Sequence, residues 1–156
     1  MRFSGKNDPK ATNGGHKMSV RYAKLEDIKF ISEIVVDGWQ SAFRGIVSDE
    51  FLNSLTYEKA NNKNESRFDK GLWCVCEIEN EIVGFSWFST ERFDADEEPS
   101  EYDSELVAIY VRPELKGNGN GKKLFNFVTT ELKRKGKNKM ILWVLEDFKF
   151  PHFFFS

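Results

Sequence analysis

The chain has 156 residues, of which 40% are hydrophobic, and includes 15 phenylalanines and 4 tryptophans. That is enough for one domain with a substantial core. Its formal net charge of −2 gives no general electrostatic case for nucleic-acid binding. With no membrane-length apolar run and no signal-type apolar segment, the reading is of a cytoplasmic protein without a membrane partner.

Residues 1–17, rich in Gly, Asn and Lys, read as a flexible tail, with Met18 a candidate natural start and residues 18–156 a single domain. Ser19 to Ala23 reads as a short strand. Glu26 to Trp39 reads as a helix, because Ile28, Ile31, Ile34, Val35 and Trp39 recur at helical spacing. Residues 40–48 read as a loop, and Ser48-Asp49-Glu50 opens a short helix expected to carry Phe51, Leu52 and Leu55 inward. Thr56 to Phe68 is a polar helical stretch. Gly71 to Glu79 and Glu81 to Thr90 read as two strands in a hairpin around Asn80.

Cys74 and Cys76, the only cysteines, alternate onto one strand face, where the geometry is poor for a disulfide. They are expected to be buried free thiols. His16 and His152 lie near opposite ends of the chain, so no His or Cys cluster completes a metal site.

Between Glu91 and Glu105 eight acidic residues face one arginine, whereas from Arg112 to Lys139 nine basic residues face two glutamates. The positive half suits an anionic cofactor; the acidic run reads as solvated surface with a slight tilt toward cationic acceptors. Ser104 to Val111 reads as a third strand of the sheet. Then come Pro113, Lys116 and the spacing Gly117-x-Gly119-x-Gly121, which opens a helix over 120–135. Leu124, Val128 and Leu132 form its stripe, and its end is expected near Gly136, after Lys133-Arg134-Lys135. Lys139 to Glu146 reads as a further strand, completing a βαβ unit with parallel neighbours. The fold class expected is α/β, a mixed, mostly antiparallel twisted sheet with helices on both faces.

Glycines at a strand-to-helix turn let backbone N–H groups approach a ligand closely, and a helix start favours phosphate. The spacing is neither G-x-G-x-x-G nor G-x-x-x-x-G-K-[ST]. A phosphorylated ligand held outside those two loop types is therefore expected.

On these residues the chain resembles the GCN5-related N-acetyltransferase (GNAT) superfamily. The loop Lys116-Gly117-Asn118-Gly119-Asn120-Gly121 is similar to its cofactor motif (Gln/Arg)-x-x-Gly-x-(Gly/Ala), and Glu105 to Glu114 to the strand and turn before it. Val20-Arg21-Tyr22-Ala23 with Asp27, and Trp39 with Ala42-Phe43-Arg44-Gly45-Ile46, resemble its first strand and acceptor-side helices. Leu142 to Glu146 resembles its fifth strand. The resemblance implies acetyl-CoA as cofactor. Its pyrophosphate would rest on the amides of Gly117, Asn118, Gly119, Asn120, Gly121 and Lys122, beside Lys116. Its pantetheine arm would lie along Ile109, Tyr110 and Val111. It implies acetyl transfer by direct attack of a primary amine, small-molecule or peptide, on the thioester, with Glu105 as candidate base. Trp39, Phe43 and Arg44 would line the acceptor side. Arg44 would meet either a substrate carboxylate or a neighbouring acid, and Tyr110 reads as packing more than chemistry.

The chain departs from this pattern in three places. Lys116 replaces the usual Gln or Arg. Asn120 stands where an apolar residue packs, so its amide must find a partner or solvent, and a looser loop with weaker cofactor binding is expected. Phe148 takes the place of an asparagine, and Phe155 that of a tyrosine able to protonate a thiolate, which a phenyl ring cannot do. The five phenylalanines in 148–155 and the missing last strand imply a C-terminally incomplete domain, or a homodimer that completes the sheet between subunits. A catalytically impaired fragment and a non-enzymatic acyl-CoA-binding or protein-interaction module are the competing readings.

Overall fold

The computed structural model describes residues 18–91, 101–115 and 119–142. Five strands form one sheet in the order β1-β2-β3-β4-β5: β1 Met18–Tyr22, β2 Leu72–Ile78, β3 Glu81–Ser89, β4 Ser104–Val111 and β5 Met140–Leu142. The first three pairings are antiparallel and β4–β5 is parallel. The mixed, mostly antiparallel sheet is the one expected.

The β2–β3 hairpin turns through Glu79 at φ 52° and Asn80 at φ 68°. Positive φ at both central residues is the signature of the tight turn whose twist matches two antiparallel strands. Asp103 fastens the other end of the sheet, its carboxylate accepting the amides of Asn138 and Lys139 at 3.0 and 3.1 Å. Those bonds hold its carboxyl below its ordinary range and align the starts of β4 and β5.

Helix α1 (Ile28–Ala42) follows a 3₁₀ turn at Leu25–Asp27. It runs three residues beyond the expected Trp39, because 40–42 continue the helix rather than starting the loop. Helix α2 is Asp49–Ser54, with the Ser48 hydroxyl accepting the Phe51 amide, and α3 is Tyr57–Ser66, with the Thr56 hydroxyl accepting the Lys59 amide. Both caps satisfy amides that a helix start otherwise leaves open. In α2, Leu52 is fully buried, but Phe51 is 46% exposed, contrary to the inward position expected: so short a helix offers only one core-facing position.

Helix α4 (Asn120–Arg134) packs on the opposite face from α1. It ends as its sequence requires: Gly136 takes φ 83°, and the amides of Gly136 and Lys137 return to the carbonyls of Lys133 and Leu132, closing a Schellman motif. Leu124, Val128 and Leu132 meet Cys74, Cys76, Val83, Phe88, Leu106, Ile109 and Val111. On the other face Ile28, Ile31 and Ile34 meet Trp73, Val75, Ile82 and Phe85. Cys74 and Cys76 are buried and unpaired.

Candidate functional site

Strand β4 holds four of the residues singled out from the sequence: Glu105 near its start, and Ile109, Tyr110 and Val111 at its end. Near its start Glu105 is only 5% exposed, opposite Ser89 in β3 and beside Ile141 in β5. Leu106 packs on the α4 side, so strand alternation puts Glu105 on the α1 side. The next feature has no sequence signal. Phe88 pairs with Leu106 but Trp87 pairs with Ala108, which leaves Val107 an extra residue in β4. Such a bulge bends the strand and leaves the extra residue unpaired with its neighbour strand.

Beyond the bulge, Ile109 and Val111 are buried against α4. Tyr110 faces α1, its ring stacked on Phe85 at 5.9 Å between centroids. A Cβ on Gly38 would come within 3.1 Å of that ring, so α1 sits close over Tyr110. Burial pushes the Tyr110 hydroxyl pKa up, keeping it neutral at ordinary pH. Tyr110 is thus a packing residue on its side-chain edge.

Where β4 leaves the sheet, Arg112 holds α1. Its Nη1 lies 3.2 Å from the Asp37 carboxylate, whose other oxygen accepts the Tyr57 hydroxyl at 2.7 Å. The accepting Asp37 carboxylate raises the Tyr57 pKa. This three-element knot joins α1, the start of α3 and the approach to the glycine turn. Residues so far apart in sequence gave no local signal of it.

A 3₁₀ turn at Pro113–Leu115 follows. Lys116, Gly117 and Asn118 lie outside the described residues, as do residues 143–156 with Trp143 to Glu146, Phe148 and Phe155, and the acidic positions Asp94 to Glu98. At Gly119 the chain takes φ 80° as the N-cap of α4, with no side chain capping the helix, and a Cβ there would meet nothing within 4 Å. Lys123 is the first amide to bond back, to the Gly119 carbonyl. The amides of Asn120, Gly121 and Lys122 therefore head a fifteen-residue helix with its positive dipole end toward open space. Asn120 is 6% exposed and its amide donates to the Leu115 carbonyl at 3.2 Å. It found a partner inside the turn, tying the helix start to the 3₁₀ turn. Gly121 is buried and Lys122 exposed.

On the acceptor side expected from sequence, Trp39 and Phe43 are in contact, their centroids 4.4 Å apart. Phe43 is 3% exposed and serves as core. Arg44 is turned away to Asp49, 3.3 Å distant; of the two partners considered, the structure gives it the neighbouring acid. Among the described residues no group of three or more His, Cys, Asp or Glu side chains could hold a metal ion, and no helix is long and apolar enough to cross a membrane.

Comparison with known proteins adds to this geometry. The acetyltransferase (GNAT) family's sequence profile matches residues 32–154. The uncharacterized N-acetyltransferase YuaI of Bacillus subtilis (strain 168) is 36% identical over 130 residues, spanning 83% of this chain and 73% of that protein. Among solved structures, the PaiA N-acetyltransferase of Thermoplasma acidophilum in complex with coenzyme A superposes with a TM-score of 0.67 at 21% identity, over 85% of this chain and 82% of the other. A GNAT family acetyltransferase of Brucella melitensis in complex with acetyl-CoA superposes with a TM-score of 0.58 at 20% identity, over 83% and 77%. At these identities the two structures speak for the fold alone.

Proposed function

The chain belongs to the acetyltransferase (GNAT) family, and from that premise we propose that it is an acetyl-CoA-dependent N-acetyltransferase acting on a primary amine. The observation that carries the proposal is the β4–α4 junction: a buried strand that bulges, turns, and enters a long helix through a left-handed glycine with no side-chain cap. Residues that leave a helix start open to an acceptor fit a pyrophosphate. The amides of Gly119, Asn120, Gly121 and Lys122 would hold it, with Lys122 adding charge, and Lys116, Gly117 and Asn118 are assigned to the same cradle from sequence. The β4 segment Ile109 to Val111 is the backbone edge for the rest of the cofactor.

Acetyl-CoA would supply an activated acyl group: the neutral amine nitrogen would gain the acetyl carbon as the C–S bond breaks, and the proton that the acylated nitrogen sheds would go to the departing sulfur, so that CoA leaves as the thiol. The chain's own residues prepare the amine and the developing charge. Glu105 takes the amine proton, directly or through one water, since only the neutral amine is a nucleophile. The amide at the Val107 bulge, extra to the β3–β4 pairing, is the donor for the developing oxyanion. The Asp37–Arg112–Tyr57 knot fixes α1 above that segment and positions Trp39.

Calorimetric titration with acetyl-CoA, followed by CoA release across a panel of amines, tests this. Saturable binding with amine-dependent release is expected. No heat at millimolar acetyl-CoA would overturn it.

A further inference from the structure

A groove of about 400 Å³ runs between α1, α2 and α3, a size that suits a small molecule. Val35, Trp39 and Phe51 give it an apolar side, while Lys59, Lys63 and Arg67 line it from α3 and its end. Spacing of four places those cations in a row on one helix face. No Asp or Glu among the described residues lines the groove. Neither Lys59 nor Lys63 has an ion-pair partner among the described residues. Like charges at this spacing repel, in a chain whose net charge is negative. The row is therefore complementary to an anion, and the aromatic side to an apolar body.

The groove is also joined to the segment assigned to chemistry. The Arg67 guanidinium lies 5.4 Å from the centre of the Trp87 ring, and Trp87 pairs with Ala108, the residue after the bulge. We infer that this groove selects the acceptor, and that the acceptor is an amine on an apolar body ending in a carboxylate or phosphate. The inference rests on the acetyl-transfer reading above for its word acceptor. The apolar body lies on Trp39 and Phe51, and its anionic end meets Lys59 and Lys63. Polyamines and other polycations are the acceptors that this row repels, against the slight tilt toward cations drawn from the acidic run.

Three matched amines test it: para-(aminomethyl)benzoate, benzylamine and para-xylylenediamine. They differ only in the group at the far end of one ring. Each is titrated into the full chain by calorimetry and assayed for acetyl-dependent CoA release, with and without Lys59→Glu/Lys63→Glu. Both lysines are exposed, and Lys59→Met/Lys63→Met serves if charge reversal disturbs folding. The expected result is a preference for the carboxylate over benzylamine of roughly tenfold in affinity or kcat/KM, the diamine weakest, and a loss of that preference in the variants. Equal treatment of the three amines, a preference for the diamine, a preference that survives the variants, or no binding of the carboxylate overturns the inference. If acetyl-CoA itself gives no heat, the acetyl-transfer reading falls. The carboxylate titration then still decides the groove: binding lost on charge reversal upholds its anion preference, and no binding removes it.

Discussion

The two faces of the sheet are built from different materials. The α4 face is aliphatic and thiol-lined, a continuous interior from Cys74 and Cys76 through Leu106 to Leu124, Val128 and Leu132. Its rim is closed by one polar chain: Tyr22 donates to Glu131 at 2.6 Å, and Glu131 pairs with Arg134. The α1 face is aromatic, with Trp73 stacked on Trp87 at 4.7 Å and Phe85 on Tyr110. It holds buried polar groups too, such as Asn64 bonded to Ser32, and Glu105 lies on its side of the sheet. Close-packed aliphatic side chains specify one geometry and bind nothing. Aromatic and polar ones leave surfaces that a ligand can read. On the function proposed above, the α4 face carries the stability, the start of α4 holds the cofactor and the α1 face holds the acceptor and its base; four substitutions test how clean that division is.

The largest effect is expected at Glu105. Glu105→Gln keeps the shape and removes the base, so kcat should fall by about 10²–10⁴. Thermal unfolding should change far less than turnover. Full activity at all pH values would remove Glu105 from the mechanism.

On the other face, Leu124→Ala empties a fully buried site and should cost about 2–5 kcal/mol of stability, read by denaturant unfolding. The relative rates for different amines should stay as they were. A change in acceptor preference would show that the faces are coupled.

Asp27→Asn comes third. Asp27 is 6% exposed and accepts from Arg21 at 2.8 and 3.2 Å and from the Lys24 amide at 2.7 Å. Desolvation alone would raise its pKa, but the Arg21 bonds, the Lys24 amide and the two positive charges outweigh it and hold the carboxyl below 3.8. A carboxyl depressed on folding contributes stability that is present above its unfolded pKa and lost as pH falls through the folded one. Asp27→Asn should therefore cost about 2 kcal/mol at neutral pH, and the gap from the parent should narrow in acid, below about pH 4. A gap independent of pH would mean that shape, not charge, holds the α1 start.

The smallest change is Tyr22→Phe, which strips one hydroxyl from the α4 rim and should cost about 1 kcal/mol. Arg134 and the Tyr22 hydroxyl together depress the Glu131 carboxyl. By the same sign the loss is present above its ordinary 4.5 and shrinks as pH falls through the folded value. Turnover at neutral pH should not move.

These expectations also mark what was legible in the sequence. The strands, α4 and its glycine end could be read because alternation, four-residue spacing and Gly136 are local signals, and β4 was read with the bounds it has. The buried cysteines followed from alternation alone. The Val107 bulge was not legible, since a pairing offset belongs to two strands and shows in neither. Nor was the Asp37–Arg112 contact, between positions 75 apart. Phe51 was misjudged because composition gives a residue's chemistry, but the length and tilt of α2 decide its neighbour; Arg44 had been left between two partners, and no local signal chose Asp49. The row Lys59, Lys63, Arg67 went unread within the polar stretch Thr56 to Phe68. It gained meaning only when α3 was seen to lay it along Trp39 and Phe51.

The two thiols of β2 have a use of their own. Burial pushes Cys74 up to about 11 and Cys76 up to about 12, so neither is a thiolate at physiological pH, and thiol reagents react with thiolates. One sulfur touches the Ser86 hydroxyl and the other the Met18 sulfur, deep between the sheet and α4. Alkylation of the native chain must wait for that seam to part. The rate of labelling is therefore a clock for how often α4 lifts from the sheet, built into the protein without any added probe.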